Sequence, residues 1–175
     1  MTFDDTSAEL VASGSNWVGY GARSVDSAIR DLIRGTHEEL HLGIYTASPR
    51  GLPVLDLIEP RVKLGIRVTA IINRASEFAQ PVVIHRLRSL STNFPYVKIY
   101  SFEPKSQLCN IHAKVAVGDR MNAIIGSANL SRRGLIENYE LGVRVSGVLA
   151  QKAAELIDRL ARDPECIPIL SLRVE

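Results

Sequence analysis

Val25, Ala28, Ile29, Leu32 and Ile33 recur at the spacing of one helix face, and a few residues later Leu40, Leu42 and Ile44 alternate with His41, Gly43 and Tyr45 at the spacing of a strand. A chain that changes period in this way must lay helices against a sheet, because neither element buries its apolar side alone. Ser24 is placed to cap the first helix and Gly35 to end it, and the turn-rich Ser48-Pro-Arg-Gly51 closes the strand. Val54–Lys63 then predicts a second helix despite Pro60, Ile66–Ile72 a buried strand, Pro81–Leu90 a third helix and Val97–Phe102 another strand.

The second half changes rhythm. Ala113–Val117, Ala123–Gly126 and Tyr139–Val145 are strand candidates joined by short links, which implies antiparallel pairing. Gly147–Arg162 predicts a final amphipathic helix with Leu149, Ala153, Leu156, Ile157 and Leu160 on its inner side, broken by Asp163-Pro164. Ile167–Val174 is apolar and extended, suited either to an edge strand or to covering an interface. The 175 residues show no duplication, low-complexity run or linker. The expectation is one α/β domain, 1–175, a mixed β-sheet flanked by helices on both faces, with 1–23 as a polar lead-in and 163–175 as an extended C-terminal segment.

At 46% hydrophobic and 23% charged residues the composition is globular. No uninterrupted apolar run of about 18 residues offers a membrane span. The start Met1-Thr-Phe-Asp-Asp lacks the pattern of a signal peptide, and Cys109 and Cys166 stand far apart, so the expected setting is the reduced cytoplasm. The net charge of +2 hides a bias. Residues 61–100 carry seven cations (Arg61, Lys63, Arg67, Arg74, Arg86, Arg88, Lys98) against the single acid Glu77, while residues 1–60 carry four against nine. The middle of the chain is a candidate electropositive face for a polyanion, or a set of solvated helix faces that neutralise the acidic first third.

The polar positions of residues 112–140 are spaced for chemistry. His112 and Lys114, two apart, share one face of a strand within roughly 7 Å, so an imidazole and an ammonium can address one ligand. Ser127 and Asn129 repeat the arrangement after Gly126, where the missing side chain permits close approach. The order H-x-K, four residues, D, six residues, G-S-x-N resembles the HKD signature of the phospholipase D superfamily, carried by His112, Lys114, Asp119, Gly126, Ser127 and Asn129. Asn138-Tyr139-Glu140 resembles the acidic element of that superfamily's short bacterial nuclease branch.

The resemblance implies an α/β/α sandwich and phosphodiester cleavage without metal or other cofactor. His112 would attack phosphorus to form a phosphohistidine, the equivalent His of a second motif would protonate the leaving oxygen, and water would complete hydrolysis. Lys114 and Asn129 are the stabilisers of developing charge. Glu140 is the candidate acceptor for the other ring N–H of His112, with Ser127 supporting that carboxylate or the phosphate. Asp119 sits where a turn between strands is expected, a structural role, as for Gly126 and Asn138. Arg132 and Arg133, with Arg74 from the positive segment, are either phosphate clamps or surface arginines. Two histidines are required and the chain holds one H-x-K, so the implied working unit is a homodimer with a composite active site.

A single motif in a short chain, with no Lys-rich amphipathic helix suited to a bilayer, favours a nuclease acting on DNA or RNA, in the setting of restriction or anti-phage defence. The alternatives are a phospholipid phosphodiesterase or phosphatidyl transferase, and a nucleic-acid-binding subunit that works within a complex containing an ATPase or helicase. Other signals are weaker. His37-Glu38-Glu39-Leu40-His41 matches H-E-x-x-H, but that zinc motif works on a helix, and on a strand its histidines lie about 13 Å apart. Cys109 beside His112 lacks a second ligand pair and reads as a semi-buried thiol, and His85 as a helix-surface residue. Trp17 and Tyr20 read as an apolar anchor for the N-terminal segment, with base stacking as the other use.

Overall fold

The computed structural model describes residues 7–172. Its first strand, β1 (Ala8–Ala12), lies in the supposed lead-in, and β2 (Arg23–Ser24) pairs parallel with it. Only Val11 and Ala12 of β1 are buried, too short a pattern to register as a strand. Helix α1 (Val25–Gly35) buries the five apolar residues of its helical face, and β3 (Glu39–Ile44) follows. The expected second helix is two: α2 (Leu52–Leu55), entered through a 3-10 turn at Pro49–Gly51, and α3 (Ile58–Lys63). The break falls at Asp56 and Leu57, not at Pro60, which occupies the first turn of α3, where a missing N–H costs no helical bond.

The chain continues through β4 (Arg67–Asn73), the one-turn α4 (Ala75–Phe78), α5 (Pro81–Asn93) and β5 (Val97–Phe102). Then come β6 (Lys114–Gly118), β7 (Asn122–Gly126), β8 (Leu141–Ser146), α6 (Val148–Leu160) and β9 (Cys166–Pro168). The nine strands among the described residues form one mixed sheet in the order β2-β1-β8-β7-β6-β3-β4-β5-β9. β3, β4 and β5 run parallel, joined by helical crossovers, whereas β6, β7, β8 and β1 are antiparallel. Strand β3 joins the halves, parallel to β4 and antiparallel to β6, where Gly43 faces Val115.

Helices cover both faces. Leu40, Leu42, Val68, Ala70, Ala116 and Ile124 pack with α1 and α5 into the main core. Val117, Ala123 and Val145 pack on the other face against Ala150 and Ala154 of α6. The inner side of α6 is therefore Ala150, Ala154 and Ile157, and the expected Leu149 and Leu156 are exposed. Small residues win the inner face because they let the helix approach the sheet closely, which residue size alone does not reveal. Of Ile167–Val174, the start joins β9, an antiparallel edge strand on β5, and Ile169–Ser171 forms a 3-10 turn. Arg173, Val174 and the Met1–Asp5 start lie outside the described residues. No helix among the described residues is long and apolar enough to cross a membrane.

Candidate active site

The β6–β7 hairpin sets the frame. Its turn places Asp119 and Arg120 at φ 53°, and the Asp119 carboxylate accepts backbone N–H groups from His37 (2.9 Å), Glu38 (2.8 Å) and Glu39 (3.0 Å). Burial pushes this carboxyl's pKa upward, and the three N–H bonds together with the nearby His37 outweigh that and hold it below its ordinary value. Asp119 thus ties the hairpin turn to the start of β3, at the end of the sheet away from Lys114. The same strand carries His41, buried on the α6 side with Nε2 3.1 Å from Asp158 Oδ1. H-E-x-x-H here runs from a loop into a strand.

At the other end of β6, His112 precedes the strand and Lys114 begins it. Lys114 Nζ lies 3.0 Å from His112 Nδ1, 3.1 Å from Nε2 and 2.8 Å from the His112 carbonyl oxygen. Tyr45, just beyond β3, packs its ring 4.3 Å from the imidazole, centroid to centroid, and the ammonium stands 4.7 Å over the same ring. One aromatic side chain therefore braces both functional groups. Sequence reasoning missed Tyr45, because its proximity depends on the non-local β3–β6 pairing.

Gly126 faces Gly142 across β7 and β8, and a Cβ on Gly126 would fall 2.9 Å from Gly142 Cα. This close approach seats Ser127 on the backbone of Leu141, whose N–H donates to Ser127 Oγ at 3.2 Å. Ser127 Oγ donates to Glu140 Oε2, and Asn138 Nδ2 to Glu140 Oε1 at 3.1 Å. Glu140 makes no hydrogen bond to His112 within the chain, contrary to expectation: Ser127 and Asn138 hold its two oxygens, and both His112 nitrogens face Lys114. The carboxylate acts instead on Lys114: burial lowers the ammonium's pKa and the charge of Glu140 opposes that fall. Asn129 Oδ1 is buried and has no hydrogen-bond partner among the described residues.

Six of the seven cations of the electropositive middle, all but the exposed Lys98, make structural contacts. Arg61 donates to the Thr36 carbonyl (3.1 Å), Arg67 pairs with Glu39 (3.3 Å), Lys63 with Glu59 (2.8 Å), and Arg86 with Asp56 (2.8 Å) and Glu59 (2.7 Å). Arg88 donates to the Ile169 carbonyl at 3.0 Å. Arg74, expected at the substrate, is buried. Its guanidinium donates to the carbonyls of Pro104 (3.1 Å) and Ser106 (2.8 Å) and to Asn110 Oδ1 (3.4 Å). Asn73 adds a bond to Asn110 Oδ1 (3.1 Å) and accepts the Ile111 N–H (3.0 Å). Together they clamp the loop that delivers His112, a role that sequence spacing cannot distinguish from phosphate binding. Cys109, on that loop, is exposed, not semi-buried. Arg132 pairs with Glu137 at 2.7 Å, and Arg133 is exposed.

Residues 29–163 match the family model described as cardiolipin synthase, PLD-like domain. DISARM protein DrmC of Bacillus paralicheniformis is 27% identical over 142 residues, covering 81% of this chain and 58% of DrmC, so the chain spans little more than half that relative's length. Among solved structures, NucT from Helicobacter pylori superposes with a TM-score of 0.74 at 20% identity, covering 94% of this chain and 99% of NucT. The phospholipase D family member Nuc from Salmonella typhimurium gives 0.71 at 15%, covering 94% and 98%. Phosphatidylserine synthase from Haemophilus influenzae gives 0.70 at 15%, covering 94% of this chain and 40% of that one. With the mixed sheet, the flanking helices and the family match over residues 29–163, the chain belongs to the PLD-like domain family of the phospholipase D superfamily.

Proposed function

We propose that the protein is a metal-independent nuclease that cleaves phosphodiesters of DNA or RNA through a phosphohistidine at His112. The observation that carries this reading is the contact of the Lys114 ammonium with the His112 ring at the strand end, braced by Tyr45. A phosphoryl oxygen held by Lys114 and Asn129 would place phosphorus against the imidazole. The ring nitrogen bonds to phosphorus as the P–O bond to the leaving strand breaks, and the leaving oxygen takes a proton from the second chain's imidazolium. That imidazole, now neutral, deprotonates a water, which attacks phosphorus and breaks the N–P bond.

The second histidine implies a homodimer, and exposed apolar side chains at the edges of one row support one. Leu10, Val143, Ile125 and Val115 are successive cross-strand partners, one register step from Gly126 and Lys114. Leu10 and Ile125 are exposed, as are Leu141 and, on α6, Leu149 and Leu156. A second copy on this face would bury apolar surface. A nuclease rather than a lipid enzyme is supported by the superpositions on NucT and Nuc, which extend over 99% and 98% of those chains. The similarity to DrmC, a DISARM protein, supports a place in anti-phage defence, where an ATPase or helicase partner is the further expectation.

Incubation with labelled single- and double-stranded DNA and RNA in EDTA tests the reading. Cleavage that survives chelation and disappears in His112→Ala is the expected result. Release of headgroup from phospholipid vesicles without nucleic-acid cleavage would identify the lipid enzyme instead. Cleavage lost in EDTA and restored by Mg²⁺ or Zn²⁺ would overturn the mechanism.

A further inference from the structure

Among the described residues, every exposed aromatic side chain lies in one place: Trp17 (42% exposed), Tyr20 (88%) and Tyr139 (51%). Tyr20 and Trp17 share a turn, with the Tyr20 N–H donating to the Trp17 carbonyl at 3.3 Å. Trp17 meets Tyr139 edge to face, centroids 5.2 Å apart and planes at 71°. Tyr139 stands between Asn138 and Glu140, both in the polar cluster of the candidate site.

This patch is tied firmly to the site. Ser13 N–H donates to the Glu140 carbonyl (3.0 Å) and Gly14 N–H to the Ile136 carbonyl (3.2 Å), while the single Ser13 hydroxyl proton is within reach of the carbonyls of Gly134 (2.9 Å) and Asn138 (2.8 Å). Gly14, at φ 93°, lies under the Tyr139 ring, where a Cβ would come within 2.7 Å of Cδ1. An aromatic surface held this rigidly and still open to solvent is uneconomical for folding, since exposed rings gain little by burial. It suits a ligand that offers flat faces of its own.

We propose that Trp17, Tyr20 and Tyr139 form a stacking surface for unpaired bases beside the catalytic groups, so that the site takes single-stranded in preference to duplex nucleic acid. The proposal rests on the nuclease reading. Bases in a duplex hide their faces in the stack, whereas those of a single strand can lie on the rings while the neighbouring phosphate reaches His112 and Lys114. Arg133, exposed close by in sequence and without an acidic partner among the described residues, suits the flanking phosphate.

Trp17 is the chain's only tryptophan, so its fluorescence reports on this surface alone. The full-length His112→Ala protein is titrated with single-stranded DNA, single-stranded RNA, an abasic strand of equal length and a blunt duplex. Either or both single strands should quench Trp17 strongly, the abasic strand and the duplex weakly, and Tyr20→Ala should weaken single-strand binding about tenfold. Equal quenching by the abasic strand, equal affinity for the duplex, or undiminished binding by Tyr20→Ala overturns the proposal. So does a Trp17 spectrum that changes with protein concentration and not with oligonucleotide, which would assign the patch to an interface between copies. Cleavage by the wild-type protein without quenching defeats the stacking surface and leaves the nuclease reading intact; quenching without cleavage of any nucleic acid does the reverse.

Discussion

The Lys114 ammonium stands almost equidistant from the two ring nitrogens of His112, 3.0 Å from Nδ1 and 3.1 Å from Nε2. On the proposed mechanism, one phosphoryl oxygen drawn to that ammonium would bring phosphorus to the imidazole, so that binding of charge and attack at phosphorus would occur at one point. Replacing Lys114 with Met keeps the length of the side chain and removes the cation. Steady-state kinetics should show kcat reduced by about 10²- to 10³-fold, with KM changed much less, because the charge develops mainly in the transition state. A loss confined to KM would make Lys114 a binding group only.

Tyr45 braces that pair, and its ring rather than its hydroxyl makes both contacts. Tyr45→Phe should retain activity within a few-fold, while Tyr45→Leu should lower kcat about tenfold with little change in melting temperature. Equal behaviour of the two variants would leave the aromatic face without a role.

Glu140 and Lys114 are linked by charge. Burial lowers the Lys114 pKa and the Glu140 carboxylate raises it. Removing the carboxylate as Glu140→Gln therefore lowers the pKa further, and the ammonium is lost at a lower pH. The alkaline limb of the pH–rate profile should move toward lower pH in Glu140→Gln, and an unmoved limb would disconnect the two groups.

Arg74 holds the loop before His112 through the carbonyls of Pro104 and Ser106. Arg74→Met leaves these oxygens without their donor, at a cost of about 2–4 kcal/mol, and should let the backbone at the already exposed Lys105 open to trypsin while the wild-type loop resists. Resistance of the variant to cleavage at Lys105 would show that other contacts suffice.

Asp119 tests the hairpin in the same way. Its carboxyl is held below its ordinary pKa, so the stability it contributes is present above the unfolded-state value of about 3.9 and is lost as pH falls through the lower folded value. Asp119→Ala should reduce stability at neutral pH by about 2 kcal/mol and flatten the acid limb of a denaturation series; an unchanged acid limb would contradict this.

What could be read from the residues alone follows from how local each signal is. α1 and β5 were legible because Val25–Ile33 and Val97–Phe102 carry a full period within one element. β1 was not, because its place depends on pairing with β8 across more than a hundred residues. The inner side of α6 was misassigned because the alanines needed for close packing look less apolar than the leucines left outside. In the candidate site, His112, Lys114, Ser127 and Asn129 are singled out by spacing, whereas Tyr45 arrives through the β3–β6 register and Arg74 through a loop fold.

Covalent attachment of phosphorus to His112 is read out by rapid-quench mass spectrometry during the first turnover. A phosphoryl adduct on the peptide containing His112, stable in base, labile in acid and missing from His112→Ala, is the predicted result. Normal turnover with an unmodified His112 peptide throughout a burst would contradict the account and assign the attack on phosphorus to water.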